Sequence, residues 1–326
     1  MTVDSSPSFP RLLGDIGGTN ARFALQESAG AAPSQVVTYA SADHASFDAA
    51  LAAYIAGIQG PRPLQAAVGI ANPIVGDQVK MTNFHWSFSI EAVRRALGFE
   101  RLLLINDFTA LALSLPALQP EHLRRIGGGE PDPGAAVGLV GPGTGLGVSG
   151  LLRVDGGRRV VPLGGEGGHV SLAPATQRED ALVAALRDKF GHASAERALS
   201  GSGLVNLYEA LCGLDKARAR ALDPAGVSTE ALAGRDAHCV EAVEIFFALL
   251  GGVCGNLALT LGARGGMYVG GGIVPRLGDW IDRSAFRERF VAKGRFRAYL
   301  EQMPTWLIHA ETSPALIGAA QALDEL

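Results

Sequence analysis

Short apolar runs that end on glycine alternate along this chain with stretches of helical period. Leu12-Leu13 leads into Gly14-Asp15-Ile16-Gly17-Gly18-Thr19-Asn20, and Ala21-Arg22-Phe23-Ala24-Leu25 resumes the pattern at once, so the segment reads as strand, tight turn, strand. After residues 35–40, apolar positions at Phe47, Leu51, Tyr54, Ile55 and Ile58 predict a helix over 46–57. Residues 66–71 form a short buried strand, and 89–97, stopped at Gly98, a short amphipathic helix with Glu91 near its positive end. Leu102-Leu103-Leu104-Ile105 is a parallel-type strand ending on Asn106-Asp107, followed by a helix over 109–118 and an irregular connection over 127–134. Helices are expected near 178–190, 204–211 and 240–261, then a strand over 266–269 and a helix near 277–286. Strand-to-helix alternation with glycine at the junctions implies an α/β architecture with ligands at the carboxyl ends of strands.

The glycine turn occurs twice. Ala136-Val137-Gly138-Leu139-Val140 enters Gly141-Pro142-Gly143-Thr144-Gly145-Leu146-Gly147, and Val148-Ser149-Gly150-Leu151-Leu152 resumes the strand pattern. Glycines allow φ > 0 and close backbone approach, so the turn amides and the Thr19 hydroxyl can donate to phosphate oxygens while Asp15 faces an accompanying metal. A dinucleotide fingerprint needs a helix after its glycines, and a P-loop needs Gly-Lys-Ser/Thr; the chain has neither. A duplicated phosphate clamp remains, one hairpin per domain.

At 326 residues with 48% apolar side chains, the chain is long enough for two domains with a core each. A net charge of -4 and a pI near 6.0, with no Lys/Arg-rich run, provide no field for nucleic acid. Cys212, Cys239 and Cys254 lie far apart, which points to free thiols in a reducing cytoplasm and to no structural zinc. Residues 1–10 lack the basic start and apolar core of a secretory signal and read as a short loose tail. Residues 245–263 carry no charge and are long enough to nominate a membrane span. Gly251, Gly252, Gly255, Gly262 and Asn256 within them, and the strand-like Met267-Tyr268-Val269 just after, favour a buried helix against a sheet.

Asp107 stands at a strand tip, where an active-site base belongs, though an N-cap for the following helix explains it equally well. Gly164-Gly165-Glu166-Gly167-Gly168-His169 carries a carboxylate and an imidazole on a loop almost free of side chains, suited to the hydroxyls of a small polar ligand or simply a hairpin connection. Glu196 reads as a surface residue beside Arg197. Gly270-Gly271-Gly272 would let backbone approach an adenine or ribose, or make a crowded strand-to-helix turn.

Taken in order, Gly14 to Arg22, Met81-Thr82-Asn83, Ile105 to Ala110, Gly143 to Gly147, Gly165 to His169, Ser194 to Arg197, Leu199-Ser200-Gly201, Gly203 to Tyr208 and Gly270 to Pro275 resemble the bacterial glucokinase family, within the actin-like ATPase superfamily of sugar kinases. The resemblance implies a two-domain actin-like ATPase (ribonuclease H-like) α/β fold with an interdomain active-site cleft. It implies a smaller domain over 1–118, completed by 308–326, and a larger one over 119–307. Asp107 then matches the catalytic base, and Asn106, Glu166, His169 and Glu196 the residues holding glucose hydroxyls. Gly14, Asp15, Ile16, Gly17, Gly18 and Thr19 match the first ATP phosphate segment, Gly143, Thr144 and Gly145 the second, and Gly271 and Gly272 the adenosine segment. Asp15 would help place Mg2+ through water.

The implied reaction moves the γ-phosphoryl group of ATP to the 6-hydroxyl of glucose, in a cytoplasmic homodimer. A longer N-terminal tail and Pro142 depart from the pattern, neither at a matched functional position. Sugar-sensing repressors of a related family carry an N-terminal helix-turn-helix domain and a cysteine-rich zinc segment. Here about ten residues precede the first strand and no Cys follows His169 until Cys212. An actin-like filament or chaperone ATPase fits the phosphate turns but leaves Glu166, His169 and Glu196 without a purpose.

Overall fold

The computed structural model describes residues 9–82, 84–310 and 313–326. Asn83 lies outside them, as does the expected tail except for Phe9 and Pro10. The chain divides into two compact units, one made of the chain through Gln119 with Arg159–Gly164 and Ala310–Leu326, the other of Pro120–Arg158 and Gly165–His309.

In the first unit, β1 (Arg11–Ile16), β2 (Asn20–Gln26) and β3 (Ser34–Ala40) form an antiparallel meander, and β4 (Gln65–Ile70) and β7 (Arg101–Asn106) extend it in parallel, giving the order β3-β2-β1-β4-β7. A small hairpin of β5 (Gln78–Lys80) and β6 (Ser87–Ser89) stands apart. Successive side chains of a strand point to opposite faces, so Leu12 and Leu13 serve different cores. Leu12 joins Phe23, Phe47, Tyr54, Trp86 and Phe88 under α1 (Phe47–Gly57) and α2 (Ile90–Ala96). Leu13 joins Ala24, Ala67, Leu316, Ala319 and Leu323 under the last helix, α12 (Pro314–Glu325). Ser46 and Ser89 cap α1 and α2 by accepting from Ala49 N and Ala92 N, which fixes where each helix starts. The helix after β7 is α3 (Asp107–Ser114), two residues earlier than the pattern predicts, with a 3-10 turn at Leu115–Ala117. Strand β11 (Arg159–Pro162) returns to this unit from later in the chain.

The second unit repeats the arrangement. Its strands run in the order β10-β9-β12-β13-β8, with β9 (Val137–Pro142) and β10 (Leu146–Val154) antiparallel, and β12 (Met267–Val269) parallel to both β9 and β13 (Thr305–Ile308). The antiparallel edge strand β8 (Leu123–Gly127), which the pattern does not predict, ends at the first residue of the connection expected over 127–134. Helices α4 (Gln177–Phe190), α5 (Gly201–Leu214) and α6 (Pro224–Leu232) surround the 25-residue α7 (Ala237–Leu261). This α7 is long and apolar enough to cross a membrane, yet 67% of its most apolar window is buried inside the structure. The helix expected near 277–286 is instead three short ones, α8 (Ile273–Arg276), α9 (Trp280–Arg283) and α10 (Phe286–Val291), followed by α11 (Arg297–Glu301). Gly278, at φ +64°, ends the first of them in a left-handed turn.

Candidate active site

Pairing of β1 with β2 through Ile16 and Ala21 leaves Gly17-Gly18-Thr19 as the turn. Gly17 N donates to Asn20 O at 2.9 Å, Ser41 N to Thr19 O at 2.8 Å and Ser41 Oγ to Gly17 O at 3.2 Å. Ser41 is fully buried, so the turn is fastened from behind and its carbonyls are occupied, while Thr19 is exposed. None of Gly17, Gly18, Gly143 and Gly145 has a positive φ, contrary to the expectation; at these positions the missing side chain provides room.

Asp15 lies two residues before the turn. Its Oδ2 accepts from Ser313 Oγ at 2.6 Å and from Arg22 Nη1 at 3.4 Å. Burial pushes this carboxyl above the ordinary aspartate value, opposed by the Ser313 hydrogen bond and the Arg22 charge. Among the described residues no three His, Cys, Asp or Glu gather as a metal cage. One carboxylate beside a phosphate turn suits Mg2+, which keeps most of its waters and is shared with substrate phosphates.

The register of β1, β4 and β7 sets Ile16, Ile70 and Asn106 side by side, so the tip carrying Asn106 and Asp107 is two strand spacings, about 10 Å, from the Gly17-Gly18-Thr19 turn. The cap of α3 is Asn106, whose Oδ1 accepts from Phe108 N at 2.9 Å and Thr109 N at 3.2 Å. Asp107 is the first helical residue; it also accepts from Phe108 N, at 2.9 Å. The cap that Asp107 was equally suited to supply is thereby provided by its neighbour. Asn106 holds the helix and keeps Nδ2 to donate, and Asp107 sits half-buried at the strand tip.

In the second unit Gly143-Thr144-Gly145 joins β9 to β10 and is tied by Gly143 N to Gly145 O at 2.8 Å and by Gly201 N to Gly143 O at 2.9 Å. Glu196 is not a bland surface residue. Its Oε2 accepts from Leu146 N at 2.9 Å, so it buttresses the Gly143-Thr144-Gly145 turn. Ala195 N to Val170 O at 2.9 Å and the bridge between Ser171 and Ser194 hold the Glu196 turn against the chain that follows His169. Glu166 and His169 stand on one 3-10 turn, Oε2 to Nε2 3.9 Å, both more than half exposed. Gly271, at φ +79°, lies where a Cβ would fall 2.3 Å from Pro142 O. Pro142 thus does border a matched position, but through a carbonyl that any residue would supply.

A sequence profile of the glucokinase family matches residues 12–326. The chain belongs to the glucokinase family. It is 54% identical to a glucokinase of Aromatoleum aromaticum over 99% of this chain and 97% of that one. Among solved structures it is similar to a glucokinase from an Antarctic psychrotroph, with 37% identity, a TM-score of 0.88 and coverage of 98% of this chain and 100% of the other. A glucokinase from Balamuthia mandrillaris in complex with glucose shares the fold at 21% identity and a TM-score of 0.78, covering 98% of this chain and 95% of that one. The two-domain actin-like ATPase fold expected from the sequence is the fold of this family member.

Within that family frame, sequence reasoning missed Ser313, Arg22 in its role beside Asp15, and Ser41. Ser313-Pro314 is a readable helix start, but its hydroxyl makes no cap bond and reaches Asp15, 298 residues away, which no local pattern signals.

Proposed function

We propose that this chain transfers the γ-phosphoryl group of ATP to the 6-hydroxyl of glucose, with Asp107 as general base. The observation that carries this reading is the division of labour at the tip of β7. With Asn106 as the cap, an aspartate stands at a strand tip beside a fastened phosphate turn, in a member of the glucokinase family. Asp107 would accept the proton of the attacking hydroxyl, while Asn106 Nδ2, Glu166, His169 and Glu196 hold the other hydroxyls. Amides of Gly17 to Thr19 and of Gly143 to Gly145 would meet phosphate oxygens, and Gly271 and Gly272 the adenosine. Magnesium, held through water by Asp15, would neutralise charge on the β- and γ-phosphates.

The reading extends to a cytoplasmic homodimer that acts on small molecules alone and feeds glycolysis. Its support is the family resemblance and three buried cysteines that are all free thiols, as a reducing compartment keeps them. A coupled assay over hexoses and phosphoryl donors tests the activity, with turnover of glucose and ATP expected; no turnover of glucose with any donor overturns it. Light scattering tests the dimer.

A further inference from the structure

Gly145, Leu146 and Glu196 form a contact that joins a phosphate turn to a carboxylate of the sugar set. Glu196 Oε2 accepts from Leu146 N at 2.9 Å, and a Cβ placed on Gly145 would fall 2.5 Å from the same oxygen. One carboxylate oxygen is therefore seated directly against the turn. Both parts lie in the second unit.

We infer that Glu196 is a shared positioning residue, through which the conformation of the Gly143-Gly145 turn sets glucose affinity before any nucleotide is bound. The inference rests on the reading of Glu196 as a sugar ligand. A carboxylate fixed at one oxygen presents the other in a single direction, so a hydroxyl bound to Oε1 gains from an orientation settled in advance. Coupling of this kind is reciprocal: glucose on Glu196 steadies the Leu146 amide, and with it the turn that meets the phosphates.

The decisive variant is on the phosphate turn, not in the sugar set. In Gly145→Ala the new methyl displaces the far end of a flexible side chain, which costs the fold little but swings the carboxylate away from Leu146 N. Gly143→Ala is the control, because a Cβ there meets nothing within 4 Å. Calorimetric titration of glucose without nucleotide should show Gly145→Ala weaker by about tenfold or more, the loss of one well-placed hydrogen bond, with Gly143→Ala at the wild-type affinity. Thermal melts should place both variants close to wild type.

A double-mutant cycle then separates the two layers of the argument. Glu196→Ala should weaken glucose binding, and adding Gly145→Ala to it should weaken binding no further. Additive losses, or a Gly145→Ala protein with wild-type glucose affinity, overturn the inference. Unchanged glucose affinity in Glu196→Ala overturns instead the placement of Glu196 among the sugar residues.

Discussion

At the scale of single residues, the proposed reading gives two adjacent side chains at the end of β7 roles that substitutions should separate. Asn106→Ala removes a cap accepting from two amides and should lower stability by about 1 kcal/mol. Asp107→Ala leaves that cap in place and should reduce turnover by ~10² to 10⁴ while the protein melts near the wild-type temperature. Turnover and thermal melts on the same preparations check both, and a destabilised but fully active Asp107→Ala protein removes the base assignment. Ser313 offers a third case. Its hydroxyl donates to Asp15 at 2.6 Å, so Ser313→Ala should raise KM for magnesium-ATP by roughly tenfold and leave KM for glucose alone, with Ser313→Thr restoring the wild-type value. Steady-state kinetics over both substrates reads this directly.

Elements show the same economy in ion pairs. Glu179, in the first turn of α4, accepts from Arg289 of α10 through Nη1 and Nη2 at 2.6 and 2.9 Å, and from Ala175 N at 2.8 Å. Burial by itself would raise the Glu179 carboxyl; the Arg289 hydrogen bonds and the Ala175 amide outweigh it, so the group sits below its ordinary value of 4.5. A depressed carboxylate contributes stability that is present above 4.5 and is lost as pH falls through the folded-state value. Denaturant melts of wild type should therefore weaken on the acid side of that value, and Glu179→Gln should flatten this part of the profile. At neutral pH the same variant should cost about 1 to 3 kcal/mol, because half-buried Arg289 loses its charged acceptor and keeps only an amide oxygen.

How much of this was legible in the sequence follows from the range of each interaction. Both glycine hairpins were readable because strand, turn and strand are contiguous, and α4 and α5 because their periodicity and caps are local. Whether Asp107 caps α3 stayed open in the sequence, since Asn and Asp cap equally well and only geometry places the cap on Asn106. β8 and β13 pair across nearly the length of a domain and their short runs carry no turn signal between them. Glu196 reaches Leu146 over 50 residues, and Ser313 reaches Asp15 over 298; composition around either residue says nothing of its partner. Resemblance to a family supplied the role of Glu196 toward sugar, but not its grip on the phosphate turn.

For the molecule as a whole, the residues assigned to glucose are shared between the units. Asn106 and Asp107 belong to the first, Glu166, His169 and Glu196 to the second. The proposed reading has one sugar engage all five, which predicts that glucose binding draws the two units together. X-ray scattering at saturating glucose should show a smaller radius of gyration than without sugar, and superimposable profiles would count against convergence on one ligand.

The placement of α12 has a consequence for how the molecule is made. Leu13, Ala24 and Ala67, contributed within the first seventy residues, bury one face of their sheet against Leu316, Ala319 and Leu323. A Cβ on Gly318 would fall 1.6 Å from Ala110 O, so α12 also seats closely on α3, with no room for a substitute. Synthesis runs from the N-terminus, and domains generally fold as units as they emerge. The sheet that bears Asp15, with Asp107 just past its edge strand, is made well before the helix that covers it, so one apolar face stays bare until α12 emerges. The whole of the second unit is synthesised in between, so the first unit waits for its cover while its neighbour is made, with that apolar surface exposed to solvent meanwhile.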